Sequence, residues 1–147
     1  MPDFHLADFL PYQLSVTSNA VSRAVATGTG YDSRHGLTAA EWRVLAVVTA
    51  AGAPTQAELL TATGMDKMTI SRAVSALGAR GLLDQVRDTR DRRTRRLSAT
   101  RAGRDIHDDV APRALEVEAY LLAALTVPEA MALRTALARL REACLKP

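Results

Sequence analysis

The chain has 147 residues, 48% of them hydrophobic and 4% aromatic, with a formal charge of +3. That is enough apolar material for one compact domain or for two small lobes sharing a core, and too much for a disordered tail. Scarce aromatics and abundant alanine suit closely packed helices and argue against an all-β sandwich.

The N-terminal "MPDFHLADFL" has neither a basic n-region nor a continuous apolar stretch, and no run approaches the ~18 apolar residues of a membrane helix. A cytoplasmic protein with no membrane attachment is expected. From about Pro11 to Thr27, Leu14, Val21 and Val25 recur at helical spacing, and Pro11 suits a first turn. "GTGYDSRHG" then reads as a linker. In "LTAAEWRVLAVVTAAG", Thr38 followed by Glu41 is a capping-box pattern, with Trp42, Leu45 and Val48 on one face and Gly52 as the stop. "PTQAELLTATG" repeats the device with Thr55 and Glu58 and gives a short helix to about Ala62, closed by Gly64. In "MDKMTISRAVSALGARGLL", Asp66 is the N-cap, Ile70, Ala73, Val74 and Leu77 form the buried stripe, and Gly81 ends the helix.

Two short helices meeting across a glycine-containing turn form a helix-turn-helix, whose second helix can lie in a DNA major groove. Opposite the buried stripe that helix presents Lys67, Thr69, Ser71, Arg72 and Ser75, hydrogen-bonding side chains and two cations. "LLDQV" and "RRLSA" then read as two strands of a hairpin, with Arg95, Leu97 and Ala99 on one side and Arg96 and Ser98 on the other. Between and within them, residues 88 to 96 hold five arginines, two aspartates, two threonines and nothing apolar.

A charge run is usually a solvated loop, but a hairpin directly after a helix-turn-helix is the wing of a winged helix. Such a wing reaches phosphates and the minor groove, where arginine is favoured. From Arg80 to Arg104, nine arginines against three aspartates make a local balance of +6, so the remainder carries −3. A basic patch on a slightly acidic body is the pattern for binding a polyanion by counterion release. Arg90, Arg92, Arg93, Arg95 and Arg96 are therefore expected to contact DNA. Asp88 and Asp91 are expected to hold and aim guanidinium groups by charge-assisted hydrogen bonds.

Thr100 can cap a long helix running to about Leu125, with a kink at Pro112. A last helix opens with Thr126 and Glu129, carries Pro128 in its first turn, and runs through Met131, Leu133, Leu137 and Leu140 to about Cys144. These helices and the first have no place in a lone winged-helix lobe, and a two-fold dimer would double a short operator. The expected architecture is mainly α with a small β-hairpin. It divides into residues 1–36 as N-terminal dimerisation helix and linker, 37–99 as winged helix-turn-helix lobe, and 100–147 as C-terminal dimerisation helices.

The run from "GLTAAEWRVLAVV" through "TQAELLTATGMDKMTISRAVSALGARGLL" to "RDTRDRRTRRLSATRAGRDI" resembles the MarR (multiple antibiotic resistance regulator) family of bacterial transcriptional regulators. The combination of Asp88, Arg90, Asp91, Arg92 and Arg93 with Thr100 and Gly103 carries the resemblance. It implies a homodimer gripping pseudopalindromic double-stranded DNA. By position Ser71 and Arg72 match recognition-helix contacts, Arg93 matches a minor-groove arginine, and Asp91 matches its orienting acid. It further implies a repressor released by a small aromatic or anionic ligand bound between the dimer region and the lobe, with Leu14 and Trp42 as candidates for the pocket wall. Relatives that sense oxidants use a cysteine near the N-terminus, whereas the single cysteine here, Cys144, lies at the other end.

Catalysis is not expected. His5, His35 and His107 lie far apart, no GxSxG or phosphate-cradling glycine loop is present, and the pair Asp108 and Asp109 suits a solvated helix face. No cofactor or metal is expected either, since one cysteine makes no CxxC site and no disulfide. Two non-enzymatic alternatives stand beside the regulator: a constitutive architectural DNA binder without a ligand, and a winged helix that binds protein.

Overall fold

The computed structural model describes residues 3–146. Eight regular elements follow in chain order: α1 (Leu10–Thr29), α2 (Ala39–Ala51), α3 (Gln56–Thr63), α4 (Lys67–Ala79), β1 (Leu83–Arg87), β2 (Arg95–Ala99), α5 (Arg101–Leu122) and α6 (Val127–Leu145). The molecule is mainly helical with one antiparallel hairpin, the architecture expected from the sequence. A single 3₁₀ turn at Leu6–Asp8, closed by Gln13 Nε2 donating to the Ala7 carbonyl at 2.8 Å, precedes α1 and has no periodic signal in the sequence.

Local chemistry sets the helix ends. Both capping boxes before α2 and α3 are formed: Thr38 and Thr55 accept the backbone N–H of Glu41 and Glu58, whose carboxylates accept in return. A third box, Thr126 with Glu129, opens α6. Each such cap satisfies two amide donors that the helix leaves free, an effect of about 1 kcal/mol. At the far end of α1 the linker begins later than expected. The helix runs on through Gly28 because this is where it meets α5: a Cβ at residue 28 would overlap the Val117 side chain. Gly30, at φ 67°, then turns the chain out of the helix.

The lobe core is built from Val44, Leu45 and Val48 of α2, Leu59 of α3, and Ile70, Ala73, Val74 and Leu77 of α4. The hairpin adds Leu83, Leu97 and Ala99, and α5 adds Val110. Each large aliphatic side chain so buried contributes roughly 1.5–3 kcal/mol. The strands pair from Leu83 with Ala99 to Arg87 with Arg95. The first strand begins one residue later than the sequence suggests because Leu82 still belongs to the helix end, donating its N–H to the Leu77 carbonyl at 2.9 Å.

Leu82 also fixes the start of α5. Its carbonyl accepts the Thr100 N–H at 3.1 Å, and a Cβ on Gly103 would run into that same carbonyl oxygen. Gly103→Ala is therefore expected to destabilise the fold by about 1–3 kcal/mol through overpacking against backbone that cannot retreat. Thermal unfolding checks this, and an unchanged Tm would refute the contact.

α5 continues through Pro112 and stops at Leu122, short of the expected Leu125, where the Leu125 N–H donates to the Leu122 carbonyl at 3.0 Å. The chain bends 112° there into α6. α6 buries none of its residues in the single chain: Met131, Leu133, Leu137 and Leu140 are exposed, as are Leu10, Leu14 and Val16 of α1. Cys144 is exposed too. Among the described residues no single helix is long and apolar enough to cross a membrane.

Candidate nucleic-acid interface

α4 buries Ile70, Ala73, Val74 and Leu77, so its opposite side must face outward at helical spacing. Lys67, Ser71, Arg72 and Ser75 are exposed there, as the sequence predicts. Thr69 is partly committed: its hydroxyl donates to Asp66 Oδ2 at 2.7 Å while its N–H donates to Oδ1 at 2.8 Å. Those two bonds, the hydroxyl first, hold the Asp66 carboxyl below its ordinary range. Met68, 63% exposed beside Lys67, is a surface residue of this helix that the sequence reading does not include. It lies off the buried stripe, and that spacing is the signal that could have found it.

In the wing, Arg90, Arg92, Arg93 and Arg95 are not buried, and among the described residues none of the four is held in an ion pair. Arg93 and Arg95 border an open hollow shared with Thr55, Gln56 and Ala57 at the start of α3. The tip is shaped by its aspartates. Asp88 Oδ1 accepts the Arg90 N–H at 2.8 Å, and Asp91 Oδ1 accepts the Arg93 N–H at 2.9 Å while its Oδ2 accepts the Thr94 hydroxyl at 3.0 Å.

The expected pairing of Asp91 with the Arg93 guanidinium is thus replaced by a bond to the Arg93 backbone. The short acid closes a local turn before it can reach a long side chain. The guanidinium that is held belongs to Arg96, whose Nε donates to Asp88 Oδ2 at 2.7 Å. The Arg90 amide, then Arg96, keep the Asp88 carboxyl below its ordinary range.

Other arginines of the basic segment are also occupied. Arg80 donates to the carbonyls of His35 and Gly36, at 2.6 and 3.3 Å, and Arg104 to that of Ala99. Among the described residues, Arg90, Arg92, Arg93 and Arg95 of the wing, Lys67 and Arg72 of α4, and Arg87 and Arg101 beside the hairpin are left free to meet a polyanion.

A second constellation lies where the lobe meets the long helices. Trp42 of α2 stacks on Tyr31, with centroids 6.2 Å apart, and on His107 of α5 at 5.9 Å. A small hollow of about 160 Å³ beside it is lined by Val21, Ser22, Val25, Tyr31, Ala39, Trp42 and Arg43. Arg43 donates to the Ser22 hydroxyl at 3.2 Å, and burial raises the Tyr31 phenol above its ordinary range. Close by, His35 Nε2 sits 2.8 Å from Asp109 Oδ2, and Arg34 and Arg113 reach the same carboxylate at 3.4 and 3.3 Å. His35 first, then Arg113 and Arg34, lower the Asp109 carboxyl. The two predicted pocket residues part company here. Trp42 lines this hollow, but Leu14 lies in an apolar groove with Leu10 and the Met131 to Leu140 face of α6. Among the described residues no cluster of acids, histidines or cysteine could hold a metal ion.

The model of the MarR family matches residues 35–94. No curated protein matches the chain. Among solved structures, a probable transcriptional regulator from Pseudomonas aeruginosa is 32% identical, covers 92% of this chain and 99% of its own, and superposes with a TM-score of 0.78. The PcaV transcriptional regulator from Streptomyces coelicolor, solved with its natural ligand, is 27% identical over 98% of this chain and 99% of its own, with a TM-score of 0.84. CouR from Rhodococcus jostii, solved bound to p-coumaroyl-CoA, is 26% identical over 92% and 93%, with a TM-score of 0.77.

Proposed function

The chain belongs to the MarR family of transcriptional regulators, and from that premise we propose a homodimeric, sequence-specific DNA-binding regulator in the cytoplasm, a repressor released by a small ligand. The observation that carries this reading is the outward row of α4 followed by a hairpin whose Arg90, Arg92, Arg93 and Arg95 are uncommitted. In this reading Lys67, Ser71, Arg72 and Ser75, with Thr69 through its lone pairs, meet base edges and phosphates of the major groove. Arg90, Arg92, Arg93 and Arg95 enter the minor groove or grip its phosphates. Asp91 shapes the turn that presents Arg93. Residues 1–36 and 100–147 supply the dimer interface, and 37–99 the DNA-binding lobe. The apolar faces of α1 and α6, uncovered in the single chain, support the dimer.

The ligand site we assign is the hollow beside Trp42. An aromatic wall and the Arg43 guanidinium suit a small aromatic or anionic compound, and ligands seen in PcaV and CouR make a ligand-responsive role the natural comparison. Half-sites on B-DNA recur at ~34 Å, so a ligand that favours another separation of the lobes prevents both from engaging at once. Selection from a random duplex pool should return a pseudopalindrome. Recovery of no preferred sequence would leave an architectural binder. A stabilising aromatic acid found by thermal shift should then lower affinity for the selected duplex roughly 5- to 150-fold, and the duplex should weaken the acid by the same factor. Stabilising compounds that never alter DNA affinity would overturn the ligand-released reading.

A further inference from the structure

Arg96 sits among the wing arginines in sequence but is employed differently from them. Its Nε donates to Asp88 Oδ2 at 2.7 Å, its guanidinium also donates to the Ala53 carbonyl at 2.9 Å, and Glu58 Oε2 lies 3.7 Å away. Ala53 and Glu58 flank the start of α3, while Asp88 stands at the outer end of β1. One planar fork thus joins the helix-turn-helix to the wing. Resting on the DNA-binding reading, we propose that Arg96 is a positioning residue: it clamps the wing to the entry of α3 so that Arg90, Arg92, Arg93 and Arg95 are presented from a fixed hairpin.

Three observations support the clamp over a phosphate contact. Asp88 has only 11% of its side chain exposed, and its other oxygen accepts the Arg90 N–H, so one carboxylate ties Arg96 to the first residue of the tip. The charge of Arg96 faces two carboxylates, Asp88 and Glu58, and adds little to the field that draws in a polyanion. Finally, a two-stranded hairpin is marginal on its own. The backbone ties of β2 to the segment before α3 are the Leu97 N–H donating to the Pro54 carbonyl at 2.9 Å and the bridge between Thr55 and Arg96. The guanidinium spans that same seam. Lysine, a point charge without the fork, could not hold Asp88 and the Ala53 carbonyl together.

The two roles predict opposite signs for Asp88→Ala. If Arg96 is a clamp, Asp88→Ala and Arg96→Ala should each weaken binding to the selected duplex by roughly tenfold, the scale of one lost charge-assisted hydrogen bond. The double variant should be little worse than either, since partners in one network are not additive. Arg96→Lys keeps the charge but not the fork, so it should bind as weakly as Arg96→Ala, with the salt slope of the wild type in both. If Arg96 is a phosphate contact, Asp88→Ala frees it and tightens binding, and Arg96→Ala lowers the slope of log affinity against log salt by about one. Either of those results overturns the proposal. Amide exchange of Leu97 in the DNA-free protein tests the clamp independently of DNA. Faster exchange in Arg96→Ala supports the clamp, and unchanged exchange overturns it. Should the wild-type chain select no duplex, the DNA-binding reading fails while the exchange result still decides whether Arg96 holds the wing.

Discussion

Deleting the residues from Thr126 onward is expected to leave a chain that is monomeric or aggregated and that has lost operator binding. Met131, Leu133, Leu137 and Leu140 of α6 and Leu10 and Leu14 of α1 line one open apolar groove that nothing in the single chain covers. A second copy covering it would bury several aliphatic side chains at roughly 1.5–3 kcal/mol each. Removing α6 strips one wall of the groove and exposes the other. Linked half-site binding then becomes two separate events, so affinity for a pseudopalindrome should fall by about 10²–10⁴-fold, the gain that bivalency ordinarily brings. Light scattering and operator titration together provide the check. A soluble truncated dimer with unchanged affinity would show that the two-fold contact lies elsewhere.

Arg72→Ala is expected to cost about 1–3 kcal/mol on the selected duplex and to relax preference at one base position in each half-site. Arg72 is exposed on the helix proposed to enter the major groove, one residue before the buried Ala73, and its fork can pair with two acceptors of a guanine edge. Arg92→Ala should behave otherwise, weakening random and selected duplexes alike and reducing the salt slope by ~1, because a phosphate contact carries no sequence information. The comparison is made by titrating both variants against both duplexes at several salt concentrations. Equal losses on selected and random DNA for Arg72→Ala would remove that residue from base reading.

What the sequence discloses, and what it withholds, follows from the range of the interactions. The capping boxes at Thr38, Thr55 and Thr126 and the cap at Asp66 are settled within four residues, and all four form. The stripe of Ile70, Ala73, Val74 and Leu77 is equally visible, since helical geometry alone sends those positions to one side. Partner choice across the fold is different. Asp88 and Arg96 are eight residues apart and meet only because β1 and β2 pair in a particular register, so nothing local favours that pair over Asp91 with Arg93. Leu14 and Trp42 both read as apolar helix positions, but the periodicity of a helix does not name the neighbour it will face. The extension of α1 through Gly28 has the same origin, in Val117 of a helix nearly ninety residues away.

Trp42 is the single tryptophan of the chain, and its indole bridges separate elements: it stands on α2 and stacks on Tyr31, in the segment after α1, and on His107 of α5. Indole emission responds to solvent polarity and to the rings stacked on it. The protein therefore carries a built-in optical reporter at the seam between lobe and long helices. Red-edge excitation isolates that one ring from the tyrosines, and a compound entering the neighbouring hollow, or a shift of α5 past α2, is expected to alter its intensity or colour. Lobe movement in the unlabelled protein should thus be readable in real time from the emission of a single residue.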